Sequence, residues 1–456
     1  MDALERLAVT QTLARFIGRQ SWTDIPDEAS NEAKRAIADC IGGAIAALHE
    51  PQTQITLDML RAEKGQSSIW GAGCTTTARN AALVNGTMAH AHDFDDTNES
   101  MRGHPSAPVV PAIFALAPEV EADGKALIVA YLVGVEVEAK LGRAMNMEHY
   151  DRGWHTTQTL GTIGATAAAA SLLRLDEAKI CNALAIAASL AGGLRANFGT
   201  MTKSLHAGLA AQSGVLAARL AEGGLTANPS AIEAFEGFFH LFCGTDHVAS
   251  DRAVAELGSP FDAVRPGIIY KLYPTCSLTH CTIDIILGGI EAEDIVPADV
   301  NQVNCGVGYR CEHTLPYHRP STGLEGKFSM EYCLAAALHY GRVGFSEFTD
   351  KAVNDAAVQA LLPKINVYIH PDLTTPESVF HDFTDIEIIH RSGRRFQTRL
   401  AKPRGHPENP LTWDDLGKKF MACVEPVLGE NKATEMWTRL QQLEHHSPDK
   451  ALEPIC

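Results

Sequence analysis

Apolar residues recur at helical spacing through roughly the first 260 residues of the chain. Six of these segments are rich in alanine and too apolar for surface helices, which predicts helices buried among other helices. They are Glu32 to Ala47, Ala78 to Ala91, Ala126 to Met145, Gly161 to Leu173, Ala178 to Leu190 and Leu205 to Leu220. The pattern predicts a large all-helical domain.

The pattern of apolar and polar residues changes after Pro266. Apolar, β-branched runs at Val300 to Tyr309 and Ile365 to Ile369 are typical of short strands. A hairpin is predicted around Ser392-Gly393, between Ile386 to Arg391 and Arg395 to Leu400. This part of the chain is therefore expected to form an α+β domain.

Helical spacing returns beyond Pro403. Thr412-Trp413-Asp414-Asp415 resembles a capping box before Leu416 to Val424, and Asn431 to Leu443 predicts a last helix. A chain of 456 residues exceeds what one core usually organises. We therefore predict a mainly α protein, with a large all-helical domain made of residues 1–266 and 404–456 and a smaller α+β lid domain made of residues 267–403.

The charge balance excludes some classes of partner. Lys and Arg total 38 against 55 Asp and Glu, a net charge of −17, which repels phosphate backbones and anionic lipid. Nucleic acid and membrane are thus not expected as partners. The 11 cysteines form no Cys-x-x-Cys pair, and Met1 to Glu5 do not begin a signal peptide. These features favour a cytoplasmic protein with reduced thiols.

Ionisable residues are densest between His90 and His104. This run of 15 residues holds three histidines and four carboxylates directly after an apolar stretch. Proton transfer and metal binding both use groups that titrate or coordinate near neutral pH, so the run is a candidate site. The alternative is a helix end at which Asp93, Asp95 and Asp96 cap backbone amides.

Further candidates follow along the chain. His155 is expected at a helix amino terminus, where anions bind, although a capping or core histidine is the alternative. Lys203 and His206 lie three residues apart at the start of a helix, and a lysine packed among apolar helices is a plausible base. Lys271 lies at the predicted domain boundary, a preferred position for pockets, just before a helix expected from Pro274.

Two candidates have strong structural alternatives. Tyr332 offers a phenol as an acid or oxyanion donor, although tyrosines in amphipathic helices are more often packed with a satisfied hydroxyl. His90 and His92, with Asp93 and His104, suggest a metallohydrolase. On a helix, however, the two rings of His90 and His92 would point about 200° apart. Metal is therefore not expected.

Taken in order, these motifs resemble the MmgE/PrpD family. The resemblance rests on the His90–His104 run ending in His-Pro-Ser-Ala, Trp154-His155-Thr156, Thr202 to Gly208, Lys271 with Tyr273-Pro274, and Lys327-Phe328-Ser329 followed by Tyr332. It implies a helical domain built from both chain ends, a lid domain, a homodimer and no required cofactor. It also implies a pocket that contains Asp93, Thr97, His104, His155, Lys203, Lys271 and Tyr332.

The resemblance further implies proton movement at a carbon next to a carboxylate of a small polycarboxylate. Activities in the family include 2-methylcitrate dehydration, cis-aconitate decarboxylation and iminodisuccinate epimerisation. Ala107-Pro108 stands where the dehydratase branch has Asp-Asn, and the overall pattern is most similar to the epimerase. We therefore expect an isomerase in which His104, His155, Lys203, Tyr332 and Asp93 are catalytic. Thr97, Lys271 and Arg102 would bind substrate, and a lyase of the same family is the alternative.

Overall fold

A computed structural model describes residues 8–60, 63–244, 248–375 and 382–452 of the chain. The remaining residues of the predicted domains, including the Met1 to Glu5 start, lie outside the described residues. Within the described ranges, no helix is both long enough and apolar enough to cross a bilayer.

The amino-terminal part of the chain is built from helices. In order they are Val9–Arg19 (α1), Asp27–Ala46 (α2), Pro51–Leu60 (α3), Ala78–Ala91 (α4), Ser106–Leu116 (α5), Gly124–Asp151 (α6), Thr156–Leu172 (α7), Glu177–Leu190 (α8), Met201–Glu222 (α9) and Phe238–Cys243 (α10). The six predicted helical segments are confirmed, with some differences at their ends. Two small antiparallel pairs occur among the helices: Ser67–Ile69 (β1) with Cys74–Thr76 (β2), and Thr97–Asn98 (β3) with Ile268–Ile269 (β4).

Glycine allows two of these helices to meet at their backbones. A Cβ on Gly86 of α4 would lie 2.8 Å from Gly208 Cα of α9, and one on Gly208 would lie 2.3 Å from the Leu83 carbonyl oxygen. Side chains at either position would force the helices apart. This crossing lies within about one turn of His90 on α4 and less than two turns of Lys203 on α9.

The α7 helix is buried almost throughout, as its small residues predicted. All of its residues except Ser171 are buried. A Cβ on Gly161 would lie 2.7 Å from Pro108 of α5, and one on Gly164 would lie 2.4 Å from Glu138 of α6. The close packing fixes the position of His155, the residue that precedes α7.

The smaller part of the fold contains a four-stranded mixed sheet. Its strands are Val300–Val307 (β5), Ile365–Ile369 (β6), Thr384–His390 (β7) and Arg395–Leu400 (β8), in the order β6-β5-β7-β8. The β5 strand is parallel to β6 and antiparallel to β7, and β7 and β8 form the predicted hairpin. The helices of this part are His280–Glu291 (α11), Arg310–Thr314 (α12), Gly323–Gly326 (α13), Met330–Tyr340 (α14), Asp350–Val353 (α15) and Ala356–Gln359 (α16). The α11 helix begins at His280 and not near Pro274 as predicted, because a 3-10 turn at Ser277–Thr279 precedes it.

The last helices return to the amino-terminal part. They are Trp413–Leu428 (α17), Glu430–Gln441 (α18) and Pro448–Leu452 (α19), and both α17 and α18 pack on α2. The predicted capping box is present, because Thr412 and Asp415 each bind the other's backbone N–H. Buried apolar side chains form two clusters: a larger core that includes α17 and α18, and a smaller core around the mixed sheet and α14. Ile268 and Tyr270 belong to the larger core, slightly beyond the predicted boundary at 266.

Candidate active site

The loop between α4 and α5 lies buried between the two cores. Asp93 has a left-handed backbone conformation with φ of 54°, which is uncommon for non-glycine residues. Two buried lysines bind the flanking carbonyl groups: Lys327 donates to His92 O at 2.6 Å, and Lys419 donates to Phe94 O at 2.8 Å. The loop is therefore fixed on both sides of Asp93.

Asp93 lies between two ammonium groups. Lys203 Nζ donates to Asp93 Oδ1 at 2.8 Å, and Lys271 Nζ lies 3.1 Å from the same oxygen and 2.7 Å from the Asp93 carbonyl oxygen. Burial opposes ionisation of Asp93, but the two lysines outweigh it and hold the pKa of Asp93 far below its ordinary value. Asp93 is thus a fixed anion that holds both lysines in place.

A second buried carboxylate, Asp95, joins two histidines. His90 Nδ1 lies 2.8 Å from Asp95 Oδ2, and His90 Nε2 lies 2.8 Å from Lys203 Nζ. Because an ammonium group only donates, His90 carries its proton on Nδ1. His104 Nδ1 lies 3.1 Å from the same Asp95 oxygen, and His104 Nε2 lies 3.6 Å from Asp93 Oδ1. The two aspartates and Lys203 thus link His90 and His104 into one network.

Burial controls the protonation of this network. It lowers the pKa of His90 to about 4 and also lowers the pKa of His104, in both cases against the opposing charge of Asp95. Burial would likewise favour the neutral form of Asp95, yet the neighbouring rings of His104 and His90 hold its pKa well below the ordinary value. At neutral pH the rings are uncharged, and Asp95 is ionised.

A histidine pair forms the next layer. His155 Nδ1 and His206 Nδ1 are 2.9 Å apart, and the His155 ring stacks on His90 with centroids 5.6 Å apart. Burial, followed by the charge of Lys203, holds the pKa of His155 well below its usual range, and burial lowers that of His206 to about 4. Of two neutral imidazoles in this contact, one donates and the other accepts.

Asp93, Lys203, Lys271, His104 and His155 line a cavity of about 190 Å³ between the two cores. Five of its lining side chains are cationic and three are carboxylates. The cations are Arg102, Lys203, Lys271, Arg310 and Lys402, and the carboxylates are Asp93, Glu99 and Asp382. His104, His155 and His406 also contribute to the wall. The cavity therefore carries a local positive charge in a chain whose net charge is −17.

Seven of the eight side chains predicted from the sequence line this cavity: Asp93, Thr97, Arg102, His104, His155, Lys203 and Lys271. Tyr332 does not line it. Its side chain is fully buried in the smaller core, and its hydroxyl donates to the Glu347 carbonyl oxygen. Tyr332 therefore matches the alternative given for it above, a packed tyrosine with a hydrogen-bonded hydroxyl.

Arg310, Lys402 and His406 also line the cavity, although no sequence motif marked them. Arg310 begins α12, three residues after the end of β5, and the other two flank Pro403 where the chain returns to the larger core. The one feature that could have indicated them is their position in the chain, since residues at strand ends and at domain crossings tend to face a cleft. Without the tertiary structure, nothing distinguished them from solvated basic residues.

The metal alternative can be tested on the donor atoms. Single donor atoms of His90, Asp93, Asp95 and His104 lie within 4.8 Å of one another, whereas His92 Nε2 turns away to the Ala46 carbonyl oxygen. Both His90 nitrogens already have partners, and two ammonium groups flank Asp93. A divalent cation would have to displace Lys203, so the residues present fit an ion-pair network better than a metal.

Comparison with known proteins assigns the family. Residues 11–251 match the MmgE/PrpD N-terminal domain, and residues 273–444 match the MmgE/PrpD C-terminal domain. The chain therefore belongs to the MmgE/PrpD family, as the motifs indicated.

Individual relatives match along most of their length. Cis-aconitate decarboxylase of Mus musculus is 28% identical over 454 residues, which cover 96% of this chain and 91% of the relative. The Homo sapiens protein of the same name is 27% identical, with 96% and 92% covered. That of an Aspergillus terreus strain is also 27% identical, with 95% and 93% covered.

Proposed function

We propose that this protein is a lyase that decarboxylates a small unsaturated polycarboxylate of the cis-aconitate type. The observation that carries the proposal is the excess of cationic side chains around a small cavity between the two cores of an otherwise acidic protein. Such a cavity attracts and neutralises a compact polyanion. The names of the full-length relatives favour decarboxylation over the epimerisation that the sequence motifs indicated.

The chemistry requires one proton and no redox partner. The bond from carbon to one carboxylate breaks and releases carbon dioxide, and its electron pair forms a new carbon–carbon double bond. The electron pair of the original double bond takes a proton at the far carbon. The lysines beside Asp93 would bind carboxylates and stabilise the charge that develops during this shift.

His104 is the proton donor in this proposal. Its ring is neutral in the free protein, since burial lowers its pKa. A bound polyanion beside the ring would favour the imidazolium form and raise that pKa. Substrate binding itself would therefore protonate His104. Asp95, 3.1 Å from His104 Nδ1, would orient the ring and stabilise its charge.

Epimerisation of iminodisuccinate is the second candidate function. Inversion needs proton-transfer groups on two sides of one carbon, and His104 and His155 reach the same cavity from different elements. Both functions use the same cations to hold carboxylates, so the fate of the substrate carbon separates them.

The two candidates can be tested in one NMR panel in deuterated water. With cis-aconitate we expect carbon dioxide release and a product that carries a new terminal alkene and one deuterium. Iminodisuccinate and 2-methylcitrate should stay unchanged. If iminodisuccinate gains deuterium and racemises while cis-aconitate is untouched, the decarboxylase proposal is wrong and the epimerase is supported. Water loss from 2-methylcitrate would identify a dehydratase.

We also propose the assembly that the sequence implied. Residues 1–266 and 404–456 would form one domain, residues 267–403 would form the lid, and two chains would associate as a homodimer. Sedimentation at micromolar concentration should give a mass of about twice 49.1 kDa.

A further inference from the structure

One wall of the cavity brings together two arginines from different parts of the fold. Arg102 belongs to the loop after β3, whereas Arg310 begins α12 beside the smaller core. Neither belongs to the network around Asp93 and Asp95. Both arginines line the same cavity, and each is close enough for the charge of Arg310 to act on Arg102.

The backbone holds Arg102 in an uncommon conformation. Its φ is 56°, in the left-handed region, and its N–H donates to the Asn98 carbonyl oxygen at 3.0 Å. Its own carbonyl oxygen accepts from Thr156 Oγ1 at 2.6 Å. Such conformations concentrate at functional sites, where surrounding contacts hold them. Here the hydrogen bonds keep the Arg102 side chain in the cavity wall.

Arg310 is also held, but its guanidinium group is incompletely paired. Its Cζ lies over the Tyr150 ring, 5.4 Å from the ring centroid. Among the described residues, its buried Nε has no hydrogen-bond partner. A buried polar atom without a partner is costly, and a bound ligand would remove the cost.

The charges on this wall of the cavity favour the binding of an anion. Burial, followed by the positive charge of Arg310, lowers the pKa of Arg102 to about 10, although Glu99, Tyr309 and Asp382 act in the opposite direction. Like charges held together in a cleft are stabilised when an anion lies between them. Arginine is suited to this role because its planar N–H groups bind a carboxylate in a bidentate manner.

We propose that Arg102 and Arg310 form a second carboxylate-binding subsite, separate from the Lys203 and Lys271 pair. The inference rests on the proposed polycarboxylate activity and sharpens it: the preferred substrate carries two carboxylates for the lysine end of the cavity and a third for the arginines. Because the two arginines belong to different parts of the fold, a substrate that fills both subsites ties the cores together. Arg310 then determines substrate specificity, while Lys203 and Lys271 bind the end of the substrate that reacts.

Binding of two inert acids tests the subsite without any turnover. Propane-1,2,3-tricarboxylate and glutarate differ by one carboxylate, and calorimetry at low salt measures the affinity of each. In Arg310→Gln we expect tricarboxylate affinity to fall about 10- to 100-fold, the range for a lost hydrogen bond to a charged group. Glutarate affinity should change much less, so the preference for the tricarboxylate collapses.

Three variants keep the test decisive. Arg102→Asn removes the other guanidinium but keeps a residue that tolerates positive φ, and it should behave like Arg310→Gln. Arg310→Lys should retain part of the preference. Arg391→Gln removes an exposed arginine from the β7–β8 turn and should change neither affinity nor melting temperature.

The outcomes separate the subsite from the reaction. Equal losses for both acids, or no loss in a folded Arg310→Gln, would overturn the subsite. If the wild type prefers the tricarboxylate through Arg310 yet releases no carbon dioxide from cis-aconitate, the subsite is supported and the proposed decarboxylation is wrong. A wild type that binds neither acid would contradict both proposals.

Discussion

Asp93 carries one negative charge but pairs with two ammonium groups. Lys203 and Lys271 both lie within 3.1 Å of its Oδ1 atom, so one carboxylate is shared between two ammonium groups. His90 Nε2 accepts a further hydrogen bond from Lys203 but brings no negative charge. The residual positive charge at the cavity is therefore available to a substrate carboxylate, and the individual lysines can be tested.

Replacing Lys203 by methionine should abolish most turnover and preserve the fold. The variant removes one cation at the reacting end, and loss of a group in proton transfer or charge stabilisation costs about 10² to 10⁴ in rate. Lys271 remains to pair with Asp93, so the aspartate is not left alone. The measurement is kcat on the substrate found in the NMR panel, together with the melting temperature.

Lys432→Met is the matched control for this prediction. Lys432 is exposed on α18, and its loss should leave kcat unchanged. A Lys203→Met protein that melts like the wild type and turns over at a near-normal rate would remove Lys203 from the catalytic groups.

Buried His280 makes a separable contribution to stability at low pH. Burial lowers its pKa to about 3, so between pH 6.5 and 3 the unfolded chain binds the proton and the folded chain does not. Stability in that window falls with falling pH, by up to about 1.4 kcal/mol per pH unit for one group. In His280→Gln, whose amide can still donate to the Thr275 carbonyl oxygen, the fall should be shallower by this amount.

Urea unfolding at several pH values between 4 and 6.5 measures this slope. Near pH 7 the wild type and His280→Gln both carry a neutral side chain at position 280. Their free energies of unfolding should therefore differ little in pH dependence there. Identical slopes for His280→Gln and the wild type below pH 6 would contradict the assignment.

The site residues that were predictable occur in dense or unusual local patterns of the sequence. His104 and Asp93 belong to a run rich in histidine and aspartate, and Lys203 lies in the first turn of the apolar helix α9. Tyr332 was wrongly grouped with them, because its pattern is the same whether its hydroxyl faces a cavity or a backbone carbonyl. Arg310 was missed since its role depends on what α12 faces, and local sequence does not encode that.

At the scale of elements, one helix crossing sets the geometry of the site. The α4 and α9 helices approach at Gly86 and Gly208, close to the ends that carry His90 and Lys203. The 2.8 Å contact between Lys203 Nζ and His90 Nε2 depends on that separation. Widening the crossing should therefore damage stability and catalysis together.

Gly208→Ala tests the crossing. Its Cβ would lie 2.3 Å from the Leu83 carbonyl oxygen and 2.4 Å from Thr87 Oγ1, so α9 must shift. Overpacking of this kind typically costs about 1–3 kcal/mol. We expect a loss of this size in urea unfolding and a drop in kcat.

Gly43→Ala is the matched control on α2. A Cβ there meets no atom within 4 Å, and alanine is favoured over glycine in a helix by roughly 0.5–1 kcal/mol. This variant should be as stable as the wild type or more so. Equal effects of the two substitutions would mean that the close crossing is not the cause.

The helices and strands themselves were largely predictable. The turn residues Ser392-Gly393 marked the hairpin of β7 and β8, and the Thr412 capping box marked the start of α17, because these signals are local. The β3–β4 pair was not predicted, since it joins two-residue segments 170 residues apart. Such pairing follows from the tertiary fold and leaves no periodic trace.

For the whole molecule, the carboxy-terminal helices complete the larger core. Lys419 of α17 reaches through that core to an ion pair with Asp39 Oδ1 of α2, 2.6 Å away, and both side chains are buried. Burial raises the pKa of Asp39, and the charge of Lys419 opposes that effect. The pair ties the end of the chain to its beginning.

Lys419→Met should destabilise the protein strongly. It leaves Asp39 buried without its cation, and breaking a buried pair from one side costs about 3–5 kcal/mol. The double variant Asp39→Asn with Lys419→Met should recover part of the loss. Lys418→Met, its exposed neighbour on α17, should have no comparable effect in urea unfolding. Equal stability of the Lys418 and Lys419 variants would contradict a structural role for the pair.

The hydrogen bond from Lys419 to the Phe94 carbonyl oxygen joins residues 325 positions apart and supports the loop that carries Asp93 and Asp95. During translation, that loop leaves the ribosome long before its support. At synthesis rates of about 5–20 residues per second, the delay is roughly 16 to 65 s. A nascent chain of this protein therefore holds the carboxylates of the candidate active site without their final anchor, and activity should begin only after the last helices are made.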